Sequence, residues 1–137
     1  MLSHRIFTIC FAILLTLGNG DGFGKAPEED PSIKHMDAKA AAALLKKDPT
    51  VIVLDIRRPS EYEDGHIAKA KNIDFYADDF EGKLSNLDKS KTYLVHCAVG
   101  GRSTRSLATF KKLGFKSVVH LDGGFKGWAK DGLPVEK

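Results

Sequence analysis

The stretch 93-YLVHCAVGGRSTRS-106 decides the fold. An apolar run ends on a cysteine, two glycines and an arginine follow at once, and a serine opens a helical pattern. Apolar runs of this kind, bounded by turns, fit strands buried on both faces of a parallel sheet. Working outward, 51-VIVLDI-56 and 116-KSVVHL-121 are two further such runs, and 32-SIKHM-36 and 68-AKAKNID-74 are shorter strand candidates. Between them lie helical stretches. Asp37 caps 38-AKAAAALLKK-47, where Ala and Leu are strong helix formers. 78-DDFEGKLSNL-87 is weakly helical, and 103-STRSLATFKKLG-114 is closed by its glycine. Residues 58–67 read as a loop with one helical turn, and 122-DGGFKGWAKDG-132 as a turn with a short helix. Strand and helix alternate throughout, which argues for an α/β domain with a mostly parallel sheet.

In such sheets, sites gather beyond the carboxyl ends of the strands, where helix N-termini point. Cys97 sits at such an end. The following loop, Ala98 to Ser103, can turn successive backbone N–H groups toward one atom, because Gly100 and Gly101 reach conformations that a β-carbon forbids. The helix start adds about half a positive charge to the same point, and Arg102 adds a whole one. Each factor favours thiolate over thiol. The same cradle suits a persulfide, whose outer sulfur sits where an oxyanion could. Cysteine-dependent phosphatases use C-x5-R to enclose a tetrahedral phosphoryl group. Here Cys97 to Arg102 is C-x4-R, a loop sized for one sulfur atom, which disfavours a phosphatase or an arsenate-reductase-like enzyme.

Three stretches in order, 53-VLDIRRPSEYEDGHIAKAKNID-74, 93-YLVHCAVGGRS-103 and 121-LDGGFKGWAKDGLPV-135, resemble single-domain rhodaneses, domains of the thiosulfate sulfurtransferase type. The likeness covers about residues 32–137. It implies a rhodanese-like α/β fold, with a mostly parallel five-stranded sheet flanked by helices on both faces. It implies Cys97 as the nucleophile that takes a sulfane sulfur from thiosulfate or a persulfide and hands it to cyanide or a thiol. Ala98, Val99, Gly100, Gly101, Arg102 and Ser103 would form the anion pocket. No metal and no organic cofactor is called for. The chain departs from the family's common GHIPGA at 65-GHIAKA-70, where Lys69 stands in place of a glycine. A carrier that holds a persulfide for a protein partner, with little turnover of its own, is the alternative from another class.

Other residues take quieter roles. Asp55 and Arg57 lie near the site edge of the sheet and are read as bracing the loop, with substrate contact the alternative. Arg58 and Arg105 are read as solvated, and His66 as bonding its own loop. His96 and Cys97 are strand neighbours facing opposite sides of the sheet, so they are not read as a metal pair. Phe125 and Trp128 are read as core packing, and Gly123 and Gly124 as a tight turn.

Composition sets the remaining bounds. The 137 residues are 42% hydrophobic and 28% charged, and the net charge of +3 is spread along the chain. One globular domain is expected, with no nucleic-acid partner. The first twenty residues have the order of a secretory signal: Arg5, then the uncharged run Ile6 to Leu17, then small residues. That run falls short of the ~20 apolar residues of a stable membrane span. Residues 1–20 are therefore read as a signal peptide, 21–31 as a flexible leader and 32–137 as the domain, with export to the periplasm in a bacterium and secretion otherwise. Removal of the signal takes Cys10 with it and leaves Cys97 as a lone thiol, which rules out an internal disulfide and points to reactivity.

Overall fold

The computed structural model describes residues 29–137. The signal reading lies outside the described residues, as does most of the leader. Five parallel strands form one sheet in the spatial order β1-β6-β5-β2-β4: β1 is Ile33–Met36, β2 Ile52–Asp55, β4 Lys71–Asn72, β5 Thr92–His96 and β6 Ser117–Leu121. The helices are α1 (Ala38–Lys47), α2 (Pro59–Asp64), α3 (Phe80–Ser85), α4 (Gly101–Lys112) and α5 (Gly124–Lys130). No helix among the described residues is long and apolar enough to cross a membrane.

Alternation along the central strands gives the sheet two apolar faces. Val53, Leu94 and Val119 point to one side and pack with Ala38 and Ala41 of α1 and Trp128 of α5. Leu54, Tyr93, Val95 and Val118 point to the other and pack with Leu84 of α3 and Phe110 of α4. Helices therefore cover both faces of a five-stranded parallel sheet, as the sequence led one to expect. Asp37 caps α1 by accepting the Ala40 N–H at 2.8 Å, the contact the sequence calls for.

Three local features differ from the sequence reading. The run 68–74 yields only the two-residue β4. A small antiparallel ribbon pairs β3 (His66–Ile67) with β7 (Val135–Glu136), and two-residue strands leave no periodicity to read. Finally, α4 begins at Gly101, two residues before the expected start. Gly100, at φ +110°, turns the chain so sharply that the helix begins directly after the loop, which brings its N-terminus closer to Cys97.

Candidate active site

Cys97 follows β5 directly, and its side chain falls on the α3/α4 side of the sheet. His96, one residue earlier, points to the opposite side, as strand alternation requires. The thiol is 1% exposed and lies at the floor of its loop. The Gly100 N–H donates to Sγ at 3.1 Å, and the Ser103 hydroxyl lies 3.4 Å from Sγ. Burial pushes the thiol pKa up. The Ser103 hydroxyl and the N–H groups of Ser103, Gly100 and Val99 pull it down harder, and the net shift is downward. The sulfur thus sits inside a set of donors at the head of a twelve-residue helix, where negative charge is favoured. Val99, 62% exposed, forms the outer rim.

The loop is held in this shape from behind by α5. Phe125 N–H donates to the Cys97 carbonyl at 2.8 Å, and Lys126 N–H donates to the Ala98 carbonyl at 3.0 Å. His96 Nδ1 lies 3.0 Å from the same Cys97 oxygen. With both carbonyls drawn backward, the loop's N–H groups are left to face the sulfur. This contact requires a glycine at 124: a β-carbon there would stand 2.7 Å from Cys97 O and from Ala98 C and O, and its φ is +59°. Gly123 and Gly124, read from sequence as a turn, are thus part of the site's support.

Arg102 differs most from expectation. Its guanidinium forks onto Glu61 of α2, with Nη1 to Oε2 at 2.7 Å and Nη2 to Oε1 at 2.8 Å. The expected free cation of the pocket is already paired. Glu61 also accepts the Arg58 N–H at 3.1 Å, capping α2. Its carboxyl is held at about 2, chiefly by the Arg102 guanidinium.

Asp55 and Arg57 make the brace that the sequence suggested. The pair is buried, with Arg57 Nη2 2.6 Å from Asp55 Oδ2 and 2.7 Å from the Gly65 carbonyl. Phe125 is only half-buried and does more than pack: the Arg57 guanidinium lies 4.1 Å over its ring. Arg57, Glu61, Gly65, Ala98, Phe125 and Lys126 line a shallow cleft beside the loop. His66 Nδ1 lies 3.0 Å from the Tyr62 carbonyl, a local contact of the kind expected. Arg58 lies over the Tyr76 ring at 5.0 Å and Arg105 over Phe75 at 5.1 Å.

Besides Glu61, three residues escaped the sequence reading altogether. His120 of β6 places Nε2 2.8 Å from Ser103 Oγ and Nδ1 2.7 Å from Asp122 Oδ1. His35 of β1, the register partner of His120, places Nδ1 2.9 Å from the same carboxylate oxygen. Among the described residues this trio alone clusters in the manner of metal ligands, and here its atoms are hydrogen-bonded to one another.

A buried cysteine at a strand end, its thiol pKa drawn down by loop amides at the head of a helix within a parallel α/β sheet, defines an α/β domain with a donor-lined cysteine loop. The chain belongs to the rhodanese-like domain family, whose profile matches residues 37–131. It is 27% identical over 103 residues to a sulfurtransferase of Allochromatium vinosum, covering 75% of this chain and 94% of that one. It is 32% identical over 93 residues to thiosulfate sulfurtransferase 16, chloroplastic, of Arabidopsis thaliana, covering 61% of this chain and 78% of that one. The crystal structure of a rhodanese-related protein from Thermoplasma volcanium superposes with a TM-score of 0.65 at 32% identity, covering 75% of this chain and 97% of that one. Other relatives are longer, and the chain spans 21% of one and 35% of another.

Proposed function

We propose that the protein is a sulfurtransferase that carries sulfane sulfur as a Cys97 persulfide. In the first half-reaction the thiolate attacks the outer sulfur of thiosulfate or a persulfide, the S–S bond of the donor breaks, and sulfite or a thiolate leaves with the bonding pair. In the second, cyanide or a thiolate attacks the outer sulfur of the persulfide and Cys97 leaves as thiolate. Neither step needs a metal or a redox partner, since every sulfur transfer is a displacement. Ala98 to Ser103 would receive the persulfide's outer sulfur among their N–H groups. The observation that carries this reading is the Gly100 N–H donated to Cys97 Sγ at 3.1 Å at the start of α4. The relatives named as sulfurtransferases support it, and the C-x4-R spacing supports it over phosphoryl transfer.

The test is intact-mass measurement after incubation with thiosulfate. A gain of one sulfur atom is expected, reversed by cyanide and absent in Cys97→Ser. An unmodified wild-type mass with thiosulfate and with a small-molecule persulfide would overturn the reading. Repeated thiocyanate release marks an enzyme, whereas a single stoichiometric load marks a carrier for a protein partner. The reading includes export, to the periplasm in a bacterium, and amino-terminal sequencing of secreted protein would check it.

A further inference from the structure

A chain of polar atoms runs from Cys97 across α4 and β6 to the edge of the sheet. Sγ is 3.4 Å from Ser103 Oγ, which is 2.8 Å from His120 Nε2, and His120 Nδ1 is 2.7 Å from Asp122 Oδ1. Its interior is buried: Ser103 is 0% exposed and His120 3%. We propose that His120 takes the proton of Cys97 through Ser103, so that β6 sets the charge state of the nucleophile. The purpose of such a device rests on the persulfide reading above, but its test does not.

Direction along the chain follows from the donor inventory. An ionised carboxylate only accepts, so Asp122 receives Nδ1–H of His120, and His35 Nδ1 points to the same oxygen from β1. Burial raises the Asp122 carboxyl, and hydrogen bonds from His35 and His120 outweigh it, so the acid stays ionised. Neutral His120 therefore presents a bare Nε2 toward Ser103. The Ser103 hydroxyl has a second acceptor in the Gly100 carbonyl at 3.1 Å, and the shorter contact is to His120. With that proton directed at Nε2, the lone pairs of Ser103 Oγ face the Cys97 S–H.

The transfer balances. The S–H bond of Cys97 breaks and its proton passes to Ser103 Oγ, while the original hydroxyl proton of Ser103 passes to His120 Nε2. The products are a thiolate, an intact Ser103 hydroxyl now donating to it, and an imidazolium whose Nδ1–H remains on Asp122. The other groups facing His120 are His35 on β1, the hydroxyls of Ser103 and Thr104 on α4, and Cys97 beyond β5, while His96 senses its charge from the opposite face of the sheet. Arg102 is paired with Glu61 and adds only a Coulombic attraction, so this chain, the loop amides and the α4 N-terminus do most to hold the thiolate. His120 is a positioning residue in this scheme, acting through Ser103 and never touching substrate.

The test is the pH profile of Cys97 alkylation by iodoacetamide, which reads the thiolate alone. Glutamine can keep a polar contact to Ser103 but cannot take up a proton. In His120→Gln the profile is expected to move to higher pH. A shift of one unit lowers the rate about tenfold near neutral pH and leaves the alkaline plateau unchanged. Asp122→Asn, at a half-exposed position, is expected to move it the same way by about threefold in rate. Profiles of His120→Gln that overlay the wild type would overturn the proposal; should that variant not fold, an overlaid Asp122→Asn profile would do so. A merely structural histidine would lower the plateau or the melting temperature without moving the midpoint, which also counts against it. If the profile shifts as expected while thiosulfate loads no sulfur, the persulfide reading falls and the relay stands. If loading is normal and the profiles overlay, the relay falls and the persulfide reading stands.

Discussion

Phe125 donates its N–H to the carbonyl oxygen of Cys97 at 2.8 Å, and this contact, with that of the Lys126 N–H on the Ala98 carbonyl, links the last helix to the reactive loop. It turns the Cys97 peptide so that its carbonyl faces α5, and the amides that follow face the sulfur. Backbone must approach backbone for this to happen, and Gly124 makes the approach possible. Gly124→Ala places a β-carbon 2.7 Å from three backbone atoms that have no room to yield. Overpacking costs about 1–3 kcal/mol and a left-handed alanine adds about 1 kcal/mol. Urea denaturation is therefore expected to show a loss of about 3 kcal/mol. Because the strain falls on the loop, Cys97 alkylation should slow even in the fraction that stays folded.

The buried pair of Asp55 and Arg57 ties β2 to the Gly65 carbonyl and to Phe125. Arg57→Met keeps the volume but leaves the Asp55 carboxylate, 0% exposed, without its counter-charge. Removing one partner of a buried pair costs about 3–5 kcal/mol. Asp55→Asn/Arg57→Met together should recover part of that loss, since no charge is then stranded. Equal stabilities for the single and double variants would show that the ion pair is not what braces the loop.

The parts of the site legible in the sequence are those written within one stretch. Cys97, the two glycines and the helix start lie within seven residues, and strand alternation alone puts His96 and Cys97 on opposite sides. What escaped depends on pairing across the chain. Glu61 reaches Arg102 over 41 positions, and nothing near Glu61 distinguishes it from the other acids of its loop. His35, His120 and Asp122 meet only because β1 lies beside β6 in register, an order that alternation of strands and helices does not dictate. Gly124 offered a signal, since a second glycine after Gly123 is more than a turn requires. Its meaning needed the partner backbone at Ala98.

Lys69 tests the turn at 65-GHIAKA-70, where it stands in place of a glycine of the motif GHIPGA. It occupies the third position of a turn closed by the Ala70 N–H on the Ile67 carbonyl at 2.9 Å, with φ +61°. A non-glycine residue there is disfavoured by about 1–2 kcal/mol, while a glycine gains freedom in the unfolded chain worth about 0.4–1 kcal/mol. Lys69→Gly is expected to be more stable by roughly 0.5 kcal/mol, and Lys69→Ala to gain nothing. A destabilised glycine variant in thermal melts would mean that the lysine side chain contributes something its backbone geometry does not reveal.

Glu61 offers a sharper test, because one residue governs both acid stability and anion binding. Its carboxyl lies at about 2 in the folded protein, against an ordinary 4.5, chiefly through the hydrogen bonds from Arg102. A lowered folded-state value means that the stabilisation is complete above about 4.5 and is lost as pH falls toward about 2. The side chain is 34% exposed, so solvent screening limits the effect to about 1 kcal/mol or less. Glu61→Gln should therefore flatten the pH dependence of stability across that window. The same substitution removes the negative charge that now occupies Arg102 and returns a free cation to the rim of the pocket. Thiosulfate should then bind several-fold more tightly at low salt, read as a lower KM, and the advantage should fade as ionic strength rises. A weaker KM in Glu61→Gln would mean that Glu61 holds Arg102 in the orientation an anion needs, and that the pair acts as a positioned unit instead of a charge sink.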